Sequence, residues 1–434
     1  MMPQANLFVA APLKMEAEAE LRGLLAAMNV APGQVNPANS LVPFGDFECL
    51  HFARFLILQD QTLDDIHKAY DLPRQNYPLM LAFIADFDGD ADDFRAELAN
   101  RASAGLERIF SCCEGFTPTS GLAAWMKEHE QPPAACYVNW VGRTVKQIRE
   151  DDALRLALEA HLHTSASSFA DKSPRATHKL LQEYVRSETQ AGRLRLTADE
   201  STPVLWWIHN LIHFVGVPLL LLALSPLLLL YLPLFLYQLR SREKSDPEIA
   251  PRPNTQHEAS LAKLEDFFVT NQFSAMGSIK PGAFRRWTLT FFLWLVNYAA
   301  RHIFIRGHLA RVPTIHFARW VFLNDRRRMI FASNYDGSLD SYMDDFINKV
   351  GWGLNLAFSN GIGYPTTNWL VFDGSKDEQK FKYFLRRHQM PTQVWYDAHP
   401  RLAAFDLKRN MLIRRGIACN DMSDAQLQEW IALF

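Results

Sequence analysis

The residues best suited to chemistry crowd into the C-terminal part of the chain. Asn334, Asp336, Asn360, Tyr364, His388, Trp395, Tyr396, Asp397 and His399 form a polar and aromatic set. Beside them the loop GIGYP at 361–365 has no counterpart earlier in the sequence. Loops on a rigid scaffold carry function. With Arg319 as a cation, Asp336, His388 and His399 supply carboxylate and imidazole groups able to move protons, as an oxidoreductase-type enzyme with a lipophilic substrate would require. A second pair, His209 and His213, has the spacing that sets two imidazoles on one helix face, as haem or metal ligation requires. Beside Trp206 and Trp207 the same pair also reads as an interfacial polar patch. Haem is therefore the cofactor to test. The chain has no Ser-His-Asp order, phosphate loop, GxGxxG or HExxH motif.

Each of these residues also has a purely structural reading. The sequence HFAR occurs twice, at 51–54 and 316–319, each time opening an apolar run that closes on Asp60 or Asp325. Three residues separate histidine from arginine, so on a regular strand they face opposite sides and cannot line one cavity. His51 and His316 then read as hydrogen-bonded core residues. Arg54 and Arg319 are expected to be buried partners of the turn acids Asp88 and Asp336, because a buried guanidinium needs a carboxylate. His388 recurs as His129, whereas His399 stands where the earlier copy has Trp140.

The elements that position these residues also occur twice. Lys14, His51, Asp88 and His129 recur in the same order as Lys280, His316, Asp336 and His388. Alternating and helical periods give strands at 6–13, 50–58, 79–87 and 134–140, with helices at 14–28 and 90–110. The second set has strands at 272–279, 315–323, 329–335 and 393–399, with helices at 285–305 and 338–358. The fold class is α+β: two tandem ferredoxin-like (β-α-β-β-α-β) domains forming a pseudo-dimer through their sheets, with a helical membrane hairpin between them. The expected boundaries are 1–143 for the first domain, 144–200 for a helical tail and 201–240 for the membrane segment. A linker follows at 241–268, the second domain at 269–400 and a second tail at 401–434.

The membrane segment rests on 203–239, a run free of Asp, Glu, Lys and Arg. It fits one span with an interfacial lead-in, or a tight hairpin bent at Ser225-Pro226. Basic flanks (Arg193, Arg195, Arg240, Arg242, Lys244) favour both ends on the cytoplasmic side. The apolar helix at 285–305 is expected to be a domain helix whose outer face rests on lipid. Around it, Arg285, Arg286, Arg301, Arg306, Arg311, Arg319, Arg326, Arg327 and Arg328 face a single acid, Asp325, an excess suited to anionic lipid. A net charge of −2 argues against a nucleic-acid partner. Five cysteines without a CxxC pair suggest a reducing compartment, and no signal peptide is expected at the N-terminus.

The tandem element order resembles the dimeric α/β-barrel superfamily, which includes dye-decolorising peroxidases, although the GxxDG signature of those peroxidases is missing here. The runs HFARW, SNYDGS and PTQVWY are also similar to uncharacterised bacterial membrane-associated proteins. The resemblance implies a paired-sheet barrel and leaves two function classes open. One is a membrane-attached enzyme; the other is a non-enzymatic membrane adaptor, lipid-binding or scaffold module.

Overall fold

A computed structural model describes residues 2–434 except 119–120, 306 and 308. Arg306 therefore lies outside the described residues. The first part of the chain forms β1 (Gln4–Pro12), α1 (Glu18–Ala27), β2 (Leu50–Leu58), β3 (Met80–Asp88), α2 (Ala91–Arg101), α3 (Ser103–Phe110), β4 (Pro133–Val138) and α4 (Val145–Thr164). A long helix, α5 (Val204–Ser245), follows. The remainder forms β5 (Thr270–Ser278), α6 (Ala283–His302), β6 (Ile315–Leu323), β7 (Arg328–Asp336), α7 (Leu339–Phe358), α8 (Glu378–His388), β8 (Val394–Asp397) and α9 (Ala404–Ala418).

The fold is α+β, with two four-stranded antiparallel sheets ordered β1-β3-β2-β8 and β4-β6-β7-β5. Each sheet borrows its fourth strand from the other part of the chain. Before crossing, each borrowed segment bonds an edge strand of its own part. Gln131 donates its backbone N–H to Phe8 O at 2.8 Å, and Met390 donates to Ser274 O at 2.8 Å. Both seams between the sheets are thus stitched by main-chain hydrogen bonds, which leaves few open edges for foreign strands.

The inner faces pack Phe8, Leu56 and Ile84 against Met276, Val321 and Ile330. Outer faces carry the alternate residues. Those of the first sheet meet Leu21, Leu98 and Leu106 from its helices, and those of the second meet Leu289 and Leu293 of α6 and Phe346 of α7. Fully burying each such side chain contributes roughly 1.5–3 kcal/mol.

Several expectations change. The helix expected at 90–110 breaks at Ala102, whose φ of −130° is not helical. The 29–43 loop contains a short hairpin, Asn29–Ala31 with Gln34–Val35. Arg54 and Arg319 do not pair with the turn acids; they reach into the opposite sheet. Arg319 binds Asp86, and Arg54 binds Asn334 Oδ1, Ser274 Oγ (3.0 Å), Phe273 O (3.0 Å) and Ser333 O (3.1 Å). Asn334 Nδ2 donates to Asp86 Oδ2 at 3.2 Å, linking the two pairs. Asp86 thus holds one buried guanidinium directly and the other through Asn334. Burial, together with the charge of Arg319, pushes Arg54 down to about 9, and the Trp395 ring 5.0 Å away helps hold it.

The nine-arginine face also shrinks, because Arg285, Arg319 and Arg328 are buried and internally partnered. Nor does the chain reverse at Ser225-Pro226. α5 runs as one helix through Pro218, Pro226 and Pro233. The run offers no Gly, Asn or Asp there to build a turn, and a turn would free backbone groups with no polar partner. Ser225 Oγ instead bonds back to Leu222 O at 2.7 Å.

The carboxylate of this network makes the charge movable. Asp86→Asn should cost about 3–5 kcal/mol, since it leaves two buried cations uncompensated. Adding Asn334→Asp should recover most of the loss in urea unfolding. If the double variant is no more stable than Asp86→Asn, the network does not govern the interior.

Candidate functional site

At one end of the paired sheets the chain gathers three imidazoles. Irregularities in β2 between Leu50 and Phe52, and in β6 between Ile315 and Phe317, set His51 and His316 opposite no partner residue. Such bulges re-aim side chains. This overturns the opposite-faces argument: both histidines turn toward the seam, where Phe52 and Phe317 pack edge to face at 5.7 Å. His51 Nε2 lies 2.9 Å from Asp88 Oδ1, and His316 Nε2 lies 2.7 Å from Asp336 Oδ1. The second oxygen of each acid takes the first backbone N–H of a tail helix, Val145 at 2.9 Å and Ala404 at 2.7 Å. A carboxylate is well placed at a helix N-terminus.

His399 stands between these pairs. Its ring centroid is 6.0 Å from both His51 and His316 and 5.1 Å from Phe52. It is buried, and among the described residues neither ring nitrogen has a hydrogen-bond partner. Asp397 Oδ1 lies 3.3 Å from His399 Nδ1 but accepts instead from the His399 backbone N–H at 2.8 Å; its Oδ2 is unpartnered. Burial pushes Asp397 up to about 7. Burial, with the charges of His316 and His51, holds His399 well below its usual value. The contact is therefore not an ion pair between charged groups. Burial would also lower His316, yet the charge and hydrogen bond of Asp336 outweigh it and raise the value. Environments that drive neighbouring acid and base values in opposite directions are typical of acid–base sites, and also of buried structural networks.

The adjoining cavity, bordered by Gln4, Asn139, Trp140, Arg143, His316 and His399, measures about 20 Å³. That admits one water molecule. It does not admit a porphyrin, so these residues do not fit haem.

The other expected site residues lie apart. Arg319 is in the sheet interior with Asp86, and Asp336 serves His316 and the start of α9. His388 is at the far end of β5, against Gly277, where its Nδ1 meets Phe384 O at 2.7 Å. His129 makes the equivalent bond to Trp125 O at 2.9 Å. Thr270, at the opposite end of β5, touches His316, so His388 is roughly 20 Å from the histidine cluster at strand rise. His209 is exposed, and His213 bonds His302 of α6 at 2.8 Å. Among the described residues no three His, Cys, Asp or Glu side chains form a group able to hold a metal ion. Sequence reasoning passed over Asp86. The signal was present, since Asp86 and Asn334 each stand two residues before the turn acid, in ADFDG and SNYDG.

The comparisons with known proteins return no match among family models, curated proteins or solved structures.

The carboxyl of Asp397 ties stability to pH. Its folded value stands above the unfolded one, so the folded chain binds the extra proton and loses stability as pH rises through about 7. Relative to Asp397→Asn, the wild-type melting temperature should fall by several degrees between pH 5.5 and 8.5. Parallel profiles would refute the assignment.

Proposed function

We propose that the protein is a membrane-attached module of two fused ferredoxin-like units, lying on the cytoplasmic face of a bilayer along α5 and α6. The fused-repeat reading is supported by the shared element order, by the duplicated His–Asp pairs that cap α4 and α9, and by the reciprocal exchange of β4 and β8. That arrangement resembles the paired sheets of dimeric α/β barrels.

Membrane attachment is carried by one observation. α5 has a mean hydropathy of 2.5 over its most apolar window, none of which is buried. It is long and apolar enough to cross a membrane. Leu219, Leu222, Leu229 and Leu230 all stand exposed. Such a surface is far larger than the patches soluble monomers leave to water.

An in-plane placement accounts for the contacts of both ends of α5 with α6. Near its start, Asn210 accepts from Arg301 at 2.6 Å, and Phe214 O accepts from Tyr298 at 3.0 Å. Near its end, Phe235 meets Phe284 and Phe292. α6 in turn packs its other face on the second sheet through Leu289 and Leu293. Standing α5 upright in the bilayer would draw that sheet and its charged loops into hydrocarbon. The cytoplasmic side is supported by the basic residues after the apolar run and by five free cysteines.

Wild-type protein should float with liposomes. Changing Leu219, Leu222, Leu229 and Leu230 to lysine should leave the melting temperature nearly unchanged and move the protein to the soluble fraction, at about 2.5–3.5 kcal/mol per charge placed in lipid. A wild-type protein that stays soluble with liposomes present would end this reading.

The buried Asp397–His399 pair favours a second reading, an oxidoreductase-type enzyme drawing a lipophilic substrate from the bilayer. It ranks behind the first because the adjoining cavity has room for one water only. A redox chromophore in the purified protein that is lost in His399→Ala would revive it.

A further inference from the structure

A groove of about 680 Å³ runs between the C-terminal half of α5 and the first turns of α6. Its size falls within the range of roughly 300–1,000 Å³ common to small-molecule sites. Leu228, Phe235, Trp287 and Phe292 form its apolar body, and Gln238 and Arg242 close one end. From residue 228 to 242 the groove follows about 20 Å of helix.

The polar end carries unneutralised positive charge. Arg242 stacks 4.4 Å over Phe284 and, among the described residues, donates to Gln238 alone, at 3.1 Å to its side-chain oxygen and 3.4 Å to its carbonyl. Arg326 stacks 4.8 Å over Trp287, which itself lines the groove. The nearby acids are engaged elsewhere. Glu243 holds the backbone N–H groups of Trp369 and Leu370, and Asp246 holds Lys280 and Arg285. Among the described residues, neither Arg242 nor Arg326 has a carboxylate within 4.0 Å. An apolar channel that ends at the guanidinium of Arg242 is complementary to an anionic amphiphile, because guanidinium matches the geometry of phosphate oxygens.

We propose that this groove binds one acyl chain of an anionic membrane phospholipid, with its phosphate on Arg242. The proposal rests on the membrane reading and adds a specific lipid to it. The tail enters between Leu228 and Phe292, and the head remains at the basic end.

The test uses the full-length protein purified from membranes in mild detergent, with retained lipid measured by native mass spectrometry after exchange against phosphatidylglycerol or phosphatidylcholine. One phosphatidylglycerol per chain is expected, preferred by about tenfold or more, the scale of a charge-assisted hydrogen bond. Arg242→Ala should abolish the preference. Leu232→Trp, which fills the groove from an exposed position, should reduce retention of both lipids. Equal retention of the two headgroups by wild type, or an unchanged preference in Arg242→Ala, would overturn the proposal. Liposome flotation separates the two ideas. Wild type that floats without retaining lipid defeats the groove proposal alone, whereas wild type that retains the lipid but does not float defeats the membrane reading alone.

Discussion

The architecture depends on a polar chain that crosses the dry space between the two sheets, running Arg54–Asn334–Asp86–Arg319. Each arginine belongs to one part of the chain and each of its side-chain acceptors to the other. Together with the reciprocal exchange of β4 and β8, this means that neither sheet is complete without the other part. Separating them would expose two guanidiniums, a carboxylate and the apolar faces around Ile84 and Ile330 at once. The buried charge is unbalanced, with two cations and one anion, and the difference is borne by carbonyl groups and the Trp395 ring around Arg54. Arrangements of this kind are costly to form and costly to break, so they select one pairing of the sheets more than they add stability.

Much of the scaffold could be read from the residues. The strands of β2 and β6 announce themselves by apolar, β-branched and aromatic runs, and the duplicated HFAR and DG markers align the two parts. What escaped were features set by tertiary context. A bulge adds one residue without changing composition, so the turn of His51 and His316 toward the seam leaves no periodic trace. Strand exchange preserves element order and therefore cannot be seen in it. Counting arginines overstated the basic surface, because Arg285 and Arg328 fold inward onto Asp246 and Asn324. The candidate site was legible only in part. His399 and Asp336 converge with His316, whereas His388 spends its ring on a helix terminus.

The same logic links the site to the rest of the fold. Asp88 and Asp336 each join a strand bulge to the start of a tail helix, and the tails pack on one another through Leu154, Leu158, Ile413 and Ile417. The histidine end of the sheets is therefore closed and held from two sides. The opposite character belongs to α5, many of whose apolar side chains stand exposed. The histidine end is covered by the chain itself; α5 presents an apolar surface that the rest of the chain leaves open.

Sidedness tests this account most directly. In a Cys419→Ser background, where the one exposed native thiol is gone, cysteines placed at Ser201 and Ser245 bracket α5 in exposed positions. Sealed vesicles carrying the protein are then treated with a membrane-impermeant maleimide from one face only. An in-plane helix with both halves of the chain on one side predicts that both positions react from the same face and neither from the other. Labelling of the two positions from opposite faces would mean that α5 crosses the bilayer, and would contradict the account.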